Sequence, residues 1–235
     1  MTRHVLLNNV EHRDLRIITR RGADLGDDLM YALTFPAEFR DIQAYYPIVF
    51  AKAPDGKFIP LALLGFRDKQ NLFLSGGVWD APYVPLMVER VPFLIGNGPN
   101  GKVVHVDLDN PHVSRTEGER LFLEHGGNSE FLDRVSRVMG SIDEGIEATP
   151  GFVAALQEHN LIESFVIDVQ FRDGAQHRFT GFYAIQEERL AKLGADVLGA
   201  LHQRGYLQAI YMVVASVSNF RSLIERANKL NAGDR

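Results

Sequence analysis

Cysteine is absent from this 235-residue chain, which excludes disulfides, a thiolate nucleophile and any cysteine-ligated zinc or iron-sulfur centre. Basic charge is in deficit, with Lys+Arg 25 against Asp+Glu 30 and a net charge of -5, and the cations are scattered. Nucleic acid is therefore not an expected partner. Long hydrophobic runs are missing too: the longest, Ala209 to Val217, spans about nine residues where a bilayer crossing takes about twenty. That run reads as core, and membrane insertion is not expected. The N-terminal MTRHVLLNNVEHRD has only a short apolar stretch before Asn8, well short of a secretory h-region, so the expected location is cytoplasmic. A GxSxG elbow, HExxH and DxDxG are also missing.

The composition that is present, 46% hydrophobic and 23% charged, suits a soluble domain with a substantial core. Two segments, PIVFAKAPDGKFIPLALLGF and SFVIDVQFRDGAQHRFTGFYAI, each place an Asp-Gly pair (Asp55-Gly56, Asp173-Gly174) between apolar runs. That pattern predicts two β-hairpins. In the second, Asp168, Gln170 and Arg172 alternate with Ile167, Val169 and Phe171, so one face is wet and the other buried. Helices are expected mainly downstream. Asn128 or Ser129 caps one whose stripe runs Phe131, Val135, Val138, Met139, Ile142, Ile146; Thr149-Pro150 starts a second, ending near Asn160; a third carries Leu190, Leu193, Val197, Leu198 and Leu201, with Gly205 as its stop. From Tyr206 the chain is β-branched and aromatic before the helix-like SNFRSLIERANKL. Prolines at 47, 54, 60, 82, 85 and 92 forbid long regular elements earlier on. The expected class is α+β, antiparallel hairpins packed on several amphipathic helices. It is read as one domain over 1–235, with a division near 125–130 into a β-rich, loop-rich half (1–125) and a helix-plus-hairpin half (126–235) as the alternative.

Three constellations carry possible chemistry. Gly96 to Lys102 satisfies both GxGxxG and GxxxxGK, yet a strand pattern follows where phosphate binding needs a helix, and Val103 stands where a P-loop has Ser or Thr. A hairpin loop is the better reading. His105, Asp107 and Asp109 alternate along that strand, and HxD with His177 from the second hairpin would supply a facial triad for Fe(II) and 2-oxoglutarate. The competing reading buries Val104, Val106 and Leu108 and leaves the polar residues facing water. Arg67, Trp79, Asp80, Tyr83 and Arg90 form an aromatic and charged group expected on loops, the composition of a protein or peptide contact surface. Trp79 as a core plug, with Arg67 paired to Asp68 or Asp80, is the alternative.

Several separated blocks, Tyr46 to Ile95, GFYAIQEERLAKL and LHQRGYLQAIYMVVASVSNF, resemble the SapC family of bacterial proteins, and the resemblance runs from about Leu7 to Ile224. It implies a soluble accessory protein rather than the peptide-transport permease of the same name, which needs several membrane spans. Such proteins are named through a surface-layer secretion locus and are often encoded near tryptophan halogenases, cupin-like oxygenases and TonB-dependent receptors. The resemblance assigns no catalytic residue and no cofactor. The expected function is thus non-enzymatic binding, with the oxygenase built on His105, Asp107 and His177 as the alternative.

Overall fold

The computed structural model describes residues 3–99, 101–170 and 176–233, the side chains of His177 and of 231–233 excepted. In chain order the strands are β1 (His4–Leu6), β2 (Arg16–Ile17), β3 (Tyr31–Leu33), β4 (Ile48–Lys52), β5 (Phe58–Leu63), β6 (Leu74–Ser75), β7 (Val78–Trp79), β8 (Phe93–Gly98), β9 (Gly101–Asp107), β10 (Val113–Ser114), β11 (Glu119–Arg120), β12 (Ile162–Gln170) and β13 (Gln176–Ile185). The helices are α1 (Phe39–Ile42), α2 (Leu86–Glu89), α3 (Glu130–Glu158), α4 (Glu187–Leu190), α5 (Ala195–Gln203), α6 (Tyr206–Ser216) and α7 (Phe220–Gly233). A 3-10 turn, Val217–Asn219, joins the last two. All the strand pairings are antiparallel, so the class is α+β.

Two compact units interleave along the chain. The first comprises Met1–Asp28, Leu74–Asp80 and Leu86–Glu144; the second comprises Leu29–Phe73, Ala81–Pro85 and Gly145–Arg235. A break near 125–130 falls inside the first. The first unit holds two three-stranded sheets, ordered β1-β9-β8 and β10-β2-β11, and the small ribbon β6-β7. Leu15, Ile17, Phe93, Val106 and Leu121 pack with Leu132, Val135 and Met139 of α3. Those α3 residues repeat at three and four, the spacing that lines up one face of a helix.

The second unit is built on a five-stranded sheet ordered β12-β13-β4-β5-β3. Asp55-Gly56 turns β4 into β5 as expected, Gly56 supplying a φ of 82. Along β12 the alternation also holds, with Ile167 and Val169 buried and Asp168 and Gln170 exposed. The Asp173-Gly174 turn itself lies outside the described residues. Phe39 and Phe152 meet edge to face at 5.9 Å, a geometry that suits their ring quadrupoles. Helix α6 covers β13 and β4.

Helix boundaries differ from the sequence expectation in three places. Ser129 does cap α3, its Oγ accepting the Leu132 N–H at 3.2 Å. However, α3 runs unbroken for 29 residues through Pro150. A proline deprives the carbonyl four residues back of its donor. Here that residue is Ile146, expected in the buried stripe but 52% exposed, so water can take the freed carbonyl. The third expected helix is two, α4 and α5, separated where Gly194 adopts an extended conformation (ψ 159) as the start of α5. The β-branched run after Gly205 is helical from Tyr206 onward, because Ala209, Ile210 and Val213 form a buried stripe; packing overrides propensity there. The segment Tyr206–Leu230 is long and apolar enough to cross a bilayer by length and composition alone. In this fold its Ala209, Ile210, Val213, Phe220 and Leu223 are buried in the second unit.

Candidate functional site

The five residues read as a contact surface divide between the units. In the first, Trp79 lies opposite Leu74 in the β6-β7 ribbon and is only 8% exposed. Its turn is Gly76-Gly77, with φ 57 and 80, the two left-handed residues that a tight hairpin turn of this kind requires. Asp80 follows on the surface. Arg90, just after α2, donates from Nη1 to the Phe93 carbonyl at 2.6 Å, and burial pushes its pKa down. In the second unit, Arg67 is exposed and forms no ion pair among the described residues, unlike the local pairing with Asp68 or Asp80 considered from sequence. Tyr83 is half-buried, and its hydroxyl donates to Glu38 Oε1 at 3.0 Å.

Glu38 gave no signal in the sequence, yet it is 2% exposed and anchors a polar knot. Thr34 Oγ1 donates to its other oxygen at 2.7 Å, and the Tyr46 hydroxyl donates to the Tyr83 carbonyl. A carboxylate so buried is tolerated because donors satisfy it. The knot ties the β3 exit, α1 and residues 81–85 together within one unit.

The strand read as HxD is β9, flanked by β1 and β8. Gly98 opposite Gly101 closes the β8-β9 ribbon, so the Gly96 to Lys102 motif is a strand-to-strand connection with no helix after it. Val106 is fully buried, as expected. Asp107 corrects the expectation that the polar face meets water: it is 9% exposed, Oδ1 accepts the Asp109 N–H at 3.2 Å, and Oδ2 lies 3.8 Å from His4 Nε2. A central strand has neighbours on both sides, and the Asp107 carboxylate is folded into that corner. The His105 ring lies over Gly96, where a Cβ would come within 2.5 Å of Nε2. Asp109 is exposed, and the side chain of His177 lies outside the described residues. Among the described residues no three metal-ligating side chains converge.

A concavity lies on the second unit. A cavity of about 290 Å³ opens between the β12-β13 end of the sheet and α6, with Phe165, Val213, Val214 and Val217 along its apolar side. Glu163, Glu187 and Glu188 also line it, and all three are exposed. Among the described residues, no lysine or arginine lines it. Beside it, β12 pairs only with β13 among the described residues, so it is an edge strand there, and the register shifts between Phe165 and Ile167.

Comparison with known families matches the SapC family over residues 7–223, which takes in most of both units. The chain belongs to the SapC family. No curated protein and no solved structure matches it. Within this SapC chain, the blocks that carried the resemblance are the β4-β5 hairpin, the β6-β7 ribbon and the β13 to α6 stretch. The last of these supplies most of the acid-lined cavity.

Proposed function

We propose that this SapC protein is a non-enzymatic binding and accessory protein that takes up an extended, basic segment of a partner protein on its second unit. The observation that carries the reading is the cavity beside β12. An edge strand offers unpaired N–H and C=O groups to an incoming chain, which supplies affinity, while pockets for alternate side chains supply selectivity. Three carboxylates, with no cation beside them among the described lining residues, favour a Lys or Arg side chain, and the Phe165 and valine wall receives an apolar one. The register shift after Phe165 restricts such pairing to the Ile162–Phe165 stretch, because a bulge breaks the ladder. Arg67, exposed on the same unit, is an additional contact residue in this proposal. The surface-protein, halogenase and TonB-receptor systems implied by the family resemblance are the settings in which to seek the partner.

The test uses two labelled hexapeptides, one alternating Lys with Val and one alternating Glu with Val, titrated against the full chain by fluorescence anisotropy. The Lys peptide is expected to bind saturably, to weaken about tenfold in Glu163→Gln/Glu187→Gln, and to weaken with added salt. Equal binding of the Glu peptide, or an unchanged affinity in the double variant, sinks the proposal.

A further inference from the structure

On the first unit, β2 lies between β10 and β11, and the register sets Arg16 directly opposite Arg120 on one side and Ser114 on the other. Residues directly opposite in an antiparallel pair share a face with Cβ atoms about 5 Å apart, and like charges placed so destabilise the pair. Ile17, on the other face of β2, is buried in the core, which fixes the two guanidinium groups on the outer face. Arg13 and Arg115 join them around a cavity of about 410 Å³. Four arginines thus meet in one hollow of a chain whose net charge is -5.

The intramolecular partners account for only part of this charge. Arg13 donates to the Glu124 carbonyl at 2.8 Å and Arg16 to the Gly118 carbonyl at 2.9 Å, neutral acceptors both. The guanidinium groups of Arg115 and Arg120 have no hydrogen bond or ion pair among the described residues; Arg120 is engaged only through its backbone, whose carbonyl accepts from Ser129 Oγ at 2.6 Å. Two acids, Asp14 and Glu124, also line the cavity, so four positive charges less two negative leave +2. Leu123, 54% exposed, adds an apolar wall next to the buried Phe122. The volume falls within the range of small-molecule sites, roughly 300–1,000 Å³.

We infer that this cavity is a binding site for a small phosphate monoester, its dianionic phosphoryl group held by Arg16, Arg115 and Arg120 and its apolar body resting on Leu123. The planar fork of a guanidinium matches phosphate oxygens in bidentate pairs, and a dianion balances the residual charge. It also relieves the repulsion across the β2-β11 register. The site is separate from the peptide-binding proposal in position, residues and ligand charge.

Phenyl phosphate is the probe, titrated by isothermal calorimetry into the full chain at constant ionic strength, with inorganic phosphate and sodium chloride as comparison titrants. Saturable 1:1 binding is expected, tighter for phenyl phosphate than for inorganic phosphate, and about tenfold weaker in each of Arg115→Gln and Arg120→Gln. Without ligand, Arg120→Gln is expected to melt at the same temperature as the parent or higher, since it removes a like-charge pair. Phenyl phosphate should raise the melting temperature of the parent and not of the Arg115→Gln/Arg120→Gln double variant. Heats no larger than those of chloride, or equal binding by the double variant, would overturn the assignment. Binding of inorganic phosphate as tightly as phenyl phosphate would overturn the role given to Leu123.

Discussion

Gly140 and Gly145 lie on the same helix, yet their surroundings give them opposite value. A Cβ at Gly145 would come within 2.2 Å of the Phe35 ring, whereas one at Gly140 meets nothing within 4 Å. Gly145→Ala should destabilise the fold by about 1–3 kcal/mol, the range for overpacking a tight contact. Gly140→Ala should stabilise it by about 0.5–1 kcal/mol through helix propensity. Urea midpoints of the two variants check both signs. A different single-residue effect sits on the wet face of the second hairpin, where Arg178 grips Asp168 through Nε at 2.8 Å and Nη2 at 3.1 Å. The hydrogen bonds from Arg178 hold the Asp168 pKa below its ordinary value of 3.8. A carboxylate depressed in the folded state contributes its full stabilisation above the unfolded value and loses it as the pH falls through the folded one. The stability difference between the parent and Arg178→Gln should therefore be steady near neutrality and shrink only below about pH 4, and the Asp168 carboxyl should titrate higher in the variant by NMR.

Ser216 shows how α6 is fastened to the sheet of its unit. Its hydroxyl donates to the Val213 carbonyl at 2.6 Å and accepts the Ile48 N–H of β4 at 2.9 Å, with the side chain fully buried. Ser216→Ala leaves that amide orphaned and should cost about 1–3 kcal/mol, read from the shift in thermal or urea midpoint without loss of secondary structure by circular dichroism. Much of the element pattern was legible in the chain. Asp55-Gly56, the Ile167 to Gln170 alternation, the Ser129 cap and the Gly205 stop each express a local backbone or burial rule, and local rules can be read from neighbours in sequence. Pro150 misleads because its cost depends on whether the freed Ile146 carbonyl meets water, which is a property of the folded surface. Pro60 is similar: it stands inside β5, an inner strand, where a proline is normally excluded. Its carbonyl accepts the Thr34 N–H just beyond the end of β3, so the side of β5 that lacks a donor faces a neighbour that has already ended. The candidate sites were the least legible part. The Arg16 and Arg120 pairing arises from two-residue strands too short to show any period, and one of the two donors that hold Glu38, Tyr83, stands 45 residues from it in sequence.

Neither unit is a continuous piece of chain, which crosses between them after Asp28, Phe73, Asp80, Pro85 and Glu144. The fragment 126–235 would carry β12, β13 and α3 to α7 without β3, β4 and β5, which complete the five-stranded sheet. Expressed alone, it should show no cooperative thermal transition by calorimetry, and a sharp transition would mean that the hairpin and helices suffice as a core. The same weave governs birth on the ribosome. Every residue of the first unit has been made once Glu144 is joined, whereas the sheet of the second waits for β12 and β13. At about 5–20 residues per second, the stretch from Gly145 to Ile185 that holds both strands takes roughly 2–8 s more. Throughout that interval β3, β4 and β5 are a nascent ribbon missing two of the five strands of their sheet, the moment at which a holdase would find the most to shield.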